Sequence, residues 1–232
     1  MTKTKIKMKT ISVLINARVQ SSRISKKLLR PFAGTTLIDI ALEKLDKMNF
    51  FTHRYLAAAE EEIKRLVTAY PNIELLERNP ESVKPGYGDH KVIYEHYQRV
   101  QSDYIFWLNP CHPLLSIDTV KMAVDTFQKT NFNSYTAVVQ TKDWIFDEEG
   151  NPITHKISSI LSTSMSQKFF KASHSFHIIK KSYFLKNYQY WTMTKEDPHL
   201  IEIPDSENFD CDTPVQFETA EAVFKSRFSG KP

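Results

Sequence analysis

The chain has 232 residues, 41% of them hydrophobic, and a formal net charge of +4 at pH 7. This length and apolar content predict a single domain over residues 1–232 with one sizeable core. Acidic and basic residues are interspersed, so the charge indicates neither a nucleic-acid-binding protein nor a membrane-bound one. No apolar run approaches the roughly eighteen residues of a membrane helix, and we expect a cytoplasmic protein.

Strand-like and helix-like patterns alternate along the first 141 residues. Short β-branched or aromatic runs predict strands at 11–17, 55–59, 73–78, 104–110 and 134–141. Apolar residues at helical spacing predict helices between them at 35–48, 60–70, 90–100 and 116–127. This alternation is typical of an α/β fold with a mainly parallel sheet.

The alternation stops after residue 141. Residues 142–172 mix polar and aromatic side chains around a turn at "DEEGNP", and we interpret them as an inserted arm. Strands are predicted again at 173–181 and 199–204, and a last helix is predicted from Thr213. The apolar patches of the arm are too large to lie bare in water, so we expect the arm to pack against a second subunit of a symmetric homodimer.

The segment after the first predicted strand is rich in cations and hydroxyl groups and contains no acidic residue. In open α/β sheets, ligands bind at the carboxyl ends of the strands, so this segment is well placed to hold the oxygens of a triphosphate. It carries neither a Walker motif nor a dinucleotide fingerprint, and a solvated basic turn is the alternative interpretation. The candidate ligand-binding residues are Arg18, Ser21, Ser22, Arg23, Lys26 and Lys27.

Three motifs, spread in order over almost the whole chain, match those of one known family. Residues 17–28, "ARVQSSRISKKL", carry an A-R-x-x-S-x-R-x-x-x-K pattern. Residues 106–120, "FWLNPCHPLLSIDTV", resemble an apolar strand followed by L-Q-P-T-S-P-L and a helix. Residues 209–221, "FDCDTPVQFETAE", resemble D-x-D-T-P-x-D-x-x-x-A-E. Together these motifs resemble the acylneuraminate cytidylyltransferase (CMP-sialic acid synthetase) family of nucleotidyltransferases.

The resemblance implies a three-layer α/β/α fold of the nucleotide-diphospho-sugar transferase type, with a small dimerisation arm. It also implies that CMP is transferred from CTP to a nonulosonic-type acid sugar, with release of pyrophosphate and with Mg²⁺ as cofactor. Arg18 and Lys27 would be catalytic, because they would offset the charge on the departing pyrophosphate. The residues that would bind the nucleotide are Ala17, Arg18, Ser21, Arg23, Lys27 and Asn109.

Asp210 and Asp212 are the candidate metal ligands. They are two residues apart on a segment predicted to be extended, so their carboxylates point the same way and can share one Mg²⁺ ion. The alternative interpretation is a pair of acids that cap the helix after Thr213. A third possibility is that Asp210-Cys211-Asp212 is the metal motif of a glycosyltransferase, but its place near the end of the chain argues against this.

The sequence departs from the family pattern at several positions. Asn109 replaces a glutamine, and Leu115 replaces an arginine. Cys111 and His112 occupy the place of Thr-Ser, and Ala57–Ala59 occupy the place of Ser-Thr-Asp. These changes favour a second hypothesis, in which the protein is a catalytically weakened homologue that binds a nucleotide or acts as a partner subunit.

Other conspicuous residues receive structural interpretations. His174 and His177 are interpreted as strand or pocket-wall residues, since no cysteine or third histidine stands at zinc-ligand spacing. Cys111 and Cys211 form no CxxC pair, and a Cys111 nucleophile is disfavoured because its neighbour His112 is adjacent in sequence. The aromatic residues of Tyr104–Trp107 are predicted to lie in the core.

Overall fold

A mixed β-sheet lies at the centre of the molecule, with helices packed on both faces. The computed structural model describes residues 9–84, 86–154, 162 and 166–228. Its strands are β1 (Ile11–Asn16), β2 (Pro31–Phe32), β3 (Thr35–Thr36), β4 (Arg54–Ala58), β5 (Glu74–Glu77), β6 (Tyr104–Leu108), β7 (Ser134–Thr141), β8 (Phe169–Lys180) and β9 (His199–Glu202). Its α-helices are α1 (Leu37–Lys47), α2 (Glu61–Lys64), α3 (His90–Ile93), α4 (Ile117–Lys129), α5 (Lys181–Asn187) and α6 (Pro214–Phe228).

Seven strands of the described residues form the main sheet, in the order β5-β4-β1-β6-β8-β7-β9. Strands β5, β4, β1 and β6 are parallel to one another, and β7 is parallel to β9. Strand β8 runs antiparallel to both of its neighbours, β6 and β7. The prediction of a mainly parallel sheet is confirmed, and the reversed strand follows from the pairing of β7 with β8 across the arm.

Strand β1 is apolar throughout because both of its faces are covered. Val13 and Ile15 pack in the core formed with α1, α4 and α6, whereas Leu14 faces the smaller core on the other side of the sheet, which includes Phe184 of α5. A strand buried on both faces reads as a continuous apolar run rather than an alternating one. This explains the run at 11–17 that marks β1 in the sequence.

Side-chain hydrogen bonds cap the starts of the long helices. Thr36 accepts a hydrogen bond from the N–H of Asp39 at the start of α1, and Ser116 accepts one from the N–H of Thr119 at the start of α4. At α6, the hydroxyl of Thr213 accepts from the N–H of Gln216. Each cap satisfies a donor that the first helical turn leaves unpaired. The predictions for all three helices are confirmed.

Two predicted helices are shorter than expected. The segment 60–70 forms α2 and then a 3₁₀ turn at Arg65–Ala69, and the segment 90–100 forms α3 and a 3₁₀ turn at Glu95–Arg99. In the second turn, His96 Nε2 lies 2.8 Å from Asn16 Oδ1, and Asn16 donates to the hydroxyl of Tyr97 at 3.0 Å. Contacts with β1 therefore override the helical periodicity there.

The predicted arm at 142–172 ends earlier than expected. Residues 169–172 belong to β8, because they pair with Val138–Thr141 of β7. Residues 155–161 and 163–165 of the arm lie outside the described residues. In the part of the arm that the structure describes, Phe146 and Pro152 form an isolated β-bridge. No helix among the residues described is both long and apolar enough to cross a membrane.

Candidate active site

A cleft of about 400 Å³ lies at the edge of the sheet where β1 and β6 end. It is lined by the segment 17–28, here named the basic loop, by residues after β6, by part of β8 and by the Asp210–Asp212 segment. This edge is where ligands bind in open α/β sheets. The predicted site residues that line the cleft are Arg18, Ser21, Ser22, Arg23, Lys27, Asn109, Asp210 and Asp212, whereas Lys26 pairs with Glu62.

Ala17 ties the start of the basic loop to the sheet. Its N–H donates to the carbonyl of Ala57 at 2.9 Å, and its carbonyl accepts a hydrogen bond from Arg78 Nη1 at 3.2 Å. The N–H of Val19 donates to Glu60 Oε1 at 2.9 Å. Ala17 is fully buried and is not part of the cleft lining, so this predicted nucleotide-binding residue anchors the loop instead.

Arg78 is a buried cation that the sequence analysis did not single out. Its side chain contacts the carbonyls of Ala17 and Ser82, and burial lowers its pKa. The nearby charge of Arg18, which is exposed and lines the cleft, acts in the same direction. Positive potential at this edge favours an anionic ligand. In the sequence, Arg78 is the last residue of the predicted strand 73–78, which places it at the carboxyl end of a strand.

Lys27 and Arg23 converge on one carboxylate oxygen. Asp212 Oδ1 lies 2.8 Å from Lys27 Nζ and 2.9 Å from an Arg23 terminal nitrogen. Lys27 is only 8% exposed, whereas Arg23 is exposed. Because hydrogen bonds to charged groups are strong in partly buried surroundings, this cluster fixes the basic loop against the Asp210–Asp212 segment.

The cluster keeps its members charged. Burial acts to raise the pKa of Asp212, but Lys27 and Arg23 outweigh it, and the pKa lies below its usual value. Burial acts to lower the pKa of Lys27, but contacts with Cys111 and Asp212 raise it above the usual value. Burial raises the pKa of Cys111 to about 11, so this residue is a neutral thiol at pH 7 rather than a nucleophile.

Asp210 lies within hydrogen-bonding reach of Asp212. Its Oδ1 is buried without a hydrogen-bond partner, and its Oδ2 lies 3.6 Å from Nε2 of the buried His112. A buried carboxylate oxygen without a partner, beside a second carboxylate, fits a hard cation such as Mg²⁺. The described residues contain no group of three or more His, Cys, Asp or Glu side chains placed to hold a metal, so ligand oxygens or water would have to complete the site.

Asn109 stabilises the turn after β6. Its Nδ2 donates to the carbonyl of His174 at 3.1 Å, and its Oδ1 accepts from the N–H of Cys111 at 3.0 Å. The residues that follow are held by the half-buried Lys44, which donates to the carbonyls of Pro113 and Leu115. Asn109 therefore lines the cleft, while both polar ends of its side chain already bond within the protein.

Aromatic rings form another part of the lining. Trp107 stacks on His177 with ring centroids 5.1 Å apart, and Tyr190 contacts both rings. The prediction that Trp107 lies in the core is wrong: it is half-buried and lines the cleft, because it pairs with His177 where β6 reaches the sheet edge. Tyr104 and Phe106 are buried as predicted. His174 and His177 are confirmed as wall residues.

Residues 12–229 match a family model described as cytidylyltransferase. The chain belongs to the cytidylyltransferase family. This match confirms the broader part of the resemblance that the three motifs indicate. No curated protein sequence matches the chain significantly.

The fold of this cytidylyltransferase resembles solved structures over nearly its full length. CMP:2-keto-3-deoxy-manno-octonic acid synthetase complexed with CTP is 13% identical, with a TM-score of 0.66 over 94% of this chain and 100% of that chain. The 4-diphosphocytidyl-2C-methyl-D-erythritol synthase of Anaerococcus prevotii is also 13% identical, with a TM-score of 0.67 over 94% and 99%. These likenesses confirm the predicted three-layer α/β nucleotidyltransferase fold.

The departures of this cytidylyltransferase from the sialic-acid pattern are mainly buried. Ala57 and Ala58 are fully buried in β4, and Leu115 is buried beside α4. Cys111 and His112 are also buried. The small or apolar side chains of Ala57, Ala58 and Leu115 complete the core, so the polar groups they replace have no counterpart at these places.

Asp212→Asn is expected to lower stability at neutral pH by about 1–3 kcal/mol, because Lys27 loses its charged partner. The folded-state pKa of Asp212 is lowered, so its contribution is present above the ordinary value near 3.8 and is lost as the pH falls through the folded-state pKa. Urea unfolding between pH 7 and pH 2 measures the difference between wild type and variant.

The control is Asp125→Asn, which breaks an exposed pair with Lys121 and is expected to have little effect. A difference between wild type and Asp212→Asn that stays constant down to pH 2 would contradict the role assigned to the ion pair.

Proposed function

We propose that this cytidylyltransferase transfers CMP from CTP to a nonulosonic-type acid sugar, such as a sialic or legionaminic acid, for surface-glycan synthesis in the cytoplasm. The observation that carries the proposal is the convergence of the basic loop and the Asp210–Asp212 segment in one cleft. The three motifs that resemble acylneuraminate cytidylyltransferases supply the residues of this convergence. The CTP complex of the 2-keto-3-deoxy-manno-octonic acid synthetase, which has the same fold, supports the choice of nucleotide.

The basic loop separates two cavities that suit the two halves of the reaction. The cleft contains Asp210, Asp212 and the aromatic rings. A second cavity of about 310 Å³ shares Arg18 and Ser21 with the cleft and extends to Gly86. In our proposal, the triphosphate lies along the basic loop, the nucleoside occupies the second cavity, and the acceptor enters the cleft.

Charge neutralisation is the main contribution of the side chains to such a transfer. The acceptor hydroxyl oxygen forms a bond to the α-phosphorus of CTP while the bond to the bridging oxygen breaks, and pyrophosphate leaves with that electron pair. Arg18 and Lys27 would offset the charge that develops on the pyrophosphate, and Ser21 and Arg23 would donate hydrogen bonds to phosphate oxygens. These groups act mainly by position and charge, because phosphoryl transfer needs little covalent help.

Asp210 and Asp212 are the residues proposed to hold Mg²⁺. When bound, the ion would neutralise phosphate charge and draw electron density from the phosphorus. Asp210 is the better placed of the two, since its Oδ1 has no hydrogen-bond partner while Asp212 already bonds to Lys27 and Arg23.

A weakened, nucleotide-binding homologue is the second candidate function. It is favoured by the buried Ala57, Ala58 and Leu115, which stand where the sialic-acid pattern has polar residues. Such a protein would bind CTP without releasing pyrophosphate. The glycosyltransferase alternative has less support, because the family match covers residues 12–229 and names a cytidylyltransferase.

Pyrophosphate release from CTP is expected to require an acid sugar, and Lys27→Met is expected to lower kcat/KM by about 10²–10³-fold. Methionine retains the apolar stem of the buried Lys27, so urea unfolding should still show a folded protein. The control is Lys121→Met on the exposed face of α4. CTP binding without pyrophosphate from any of a panel of acid sugars would favour the second candidate function.

Mg²⁺ is expected to tighten CTP binding in wild type far more than in Asp210→Asn. Metal and nucleotide would complete one site, so each should raise the affinity for the other by the same factor. Isothermal titration of CTP with and without Mg²⁺ measures this, with Asp205→Asn on an exposed 3₁₀ turn as the control. Equal enhancement in all three proteins, beyond the effect of Mg²⁺ on free CTP, would remove Asp210 from the metal site.

The arm is proposed to pair two subunits. Its described part and the adjoining Phe170 of β8 expose large apolar side chains: Trp144 46%, Ile145 40%, Phe146 57%, Ile153 57% and Phe170 47%. Exposed apolar clusters of this kind mark interaction surfaces. An isologous dimer would cover the same surface on both subunits.

Sedimentation at micromolar concentration is expected to show a homodimer. Phe146→Ser should raise the dimer dissociation constant by about tenfold or more, as loss of a buried aromatic anchor does at interfaces. The control, Val215→Ser, changes an exposed apolar residue at the start of α6 and should leave the dimer intact. A monomeric wild type at these concentrations would contradict the proposed assembly.

A further inference from the structure

The pairing of strand β8 with β7 is irregular beside the cleft. Thr136 of β7 pairs with His177, but Val138, only two residues further, pairs with Ala172, so β8 bulges between these positions. His174 lies in the bulge with φ of +56°. Bulges re-aim side chains and are common beside active sites, and a left-handed histidine is a strained conformation that the surroundings must maintain.

The bulge presents the ring of His174 to the cleft. Phe176 pairs with Leu108 at the end of β6, so the preceding residues of β8 extend past the carboxyl end of that strand. His174 is exposed and lines the cleft together with Lys27, Asp210 and Asp212. Its carbonyl is fixed by the hydrogen bond from Asn109. The side chain is therefore held near the proposed reacting groups by contacts on its own backbone.

A short chain of polar groups leads from the sheet to His174. Thr136 Oγ1 lies 2.9 Å from His177 Nδ1, and His177 Nε2 lies 3.4 Å from His174 Nδ1. Burial lowers the pKa of His177 to about 3, so this ring is neutral and has one N–H group and one lone pair. Since Nδ1 of His174 faces His177, its Nε2 is the ring nitrogen available to a ligand in the cleft.

Apart from Asp210, which is proposed to hold Mg²⁺, the other candidate proton acceptors in the cleft are engaged or buried. Asp212 bonds to Lys27 and Arg23, and Cys111 is a buried, neutral thiol. His177 is buried behind His174. The ring of His174, by contrast, is exposed, and its Nε2 is directed away from its partner His177.

We propose that His174 is the general base of the reaction, an inference that rests on the proposed CMP transfer. Nε2 of His174 takes the proton of the acceptor hydroxyl as its oxygen bonds to the α-phosphorus of CTP. The bond from that phosphorus to the bridging oxygen breaks, and its electron pair leaves with pyrophosphate. The imidazolium then returns its proton to water. Histidine is the side chain most often used for this role in enzymes.

His174→Asn tests this role with little risk to the fold. Asparagine tolerates left-handed backbone and cannot act as a comparable base. Its single-turnover rate of CMP-sugar formation is expected to fall about 10²–10⁴-fold, the usual contribution of a general base, while the dissociation constant of CTP stays within about twofold. The control is His53→Asn, which changes a histidine beside β4 that pairs with Glu74 and lies outside the cleft.

A second variant, His174→Gly, also accepts the positive φ and leaves space for an added imidazole. Imidazole at millimolar concentration is expected to restore part of its rate without affecting wild type. If wild type turns over and His174→Asn matches it within about threefold, His174 is not the base, although the CMP transfer stands. If wild type forms no CMP-sugar from any acid sugar in the panel, the proposed function fails and the assignment of His174 fails with it.

Discussion

The ion pair between Lys27 and Asp212 is the interaction on which the site depends, since it joins residues 185 positions apart at 2.8 Å. The basic loop follows the first strand, and the Asp210–Asp212 segment precedes the last helix, so neither can position the other through local structure. Burial of Lys27 makes loss of the ion pair costly in free energy, because an ammonium group removed from water needs a fixed charged partner. The charged part of the cleft therefore forms only when the basic loop and the Asp210–Asp212 segment are both packed against the sheet.

The two neighbouring carboxylates are placed in different surroundings. Asp212 is neutralised by Lys27 and Arg23, whereas Asp210 has, among the described residues, no cationic partner closer than His112 at 3.6 Å and keeps a buried oxygen without a hydrogen bond. When two similar acids differ in this way, they can take different roles in one reaction. One carboxylate organises the protein, and the other remains available to a ligand. The D-x-D spacing in the sequence predicts that the two carboxylates lie close together, but it does not predict that their hydrogen-bond partners differ.

Local signals made much of the fold predictable. The apolar run of β1 and the helical spacing of α1 and α4 are local patterns, and the structure contains this strand and these helices. Long-range packing decided the rest. The 3₁₀ turn at Glu95–Arg99 depends on Asn16, the direction of β8 depends on its pairing with β6 and β7, and Arg78 becomes part of the site through a hydrogen bond to a loop 61 residues away. The exposure of Trp107 is likewise set by a long-range contact, since it pairs with His177 of β8 near the end of β6.

The reversal of β8 has a consequence for how acceptor preference can diverge. Strand β7 runs parallel to β6, so the chain leaves the sheet at Thr141 on the edge where the cleft opens, and it returns to the same edge at Phe169, which pairs with Thr141. The two ends of the connecting segment, Thr141 and Phe169, thus lie at the edge of the sheet that carries the cleft. Insertions and deletions are tolerated best in such connections. Under the proposed function, exchange of the residues between β7 and β8 would therefore be a way to change acceptor preference without altering the strands that carry the basic loop.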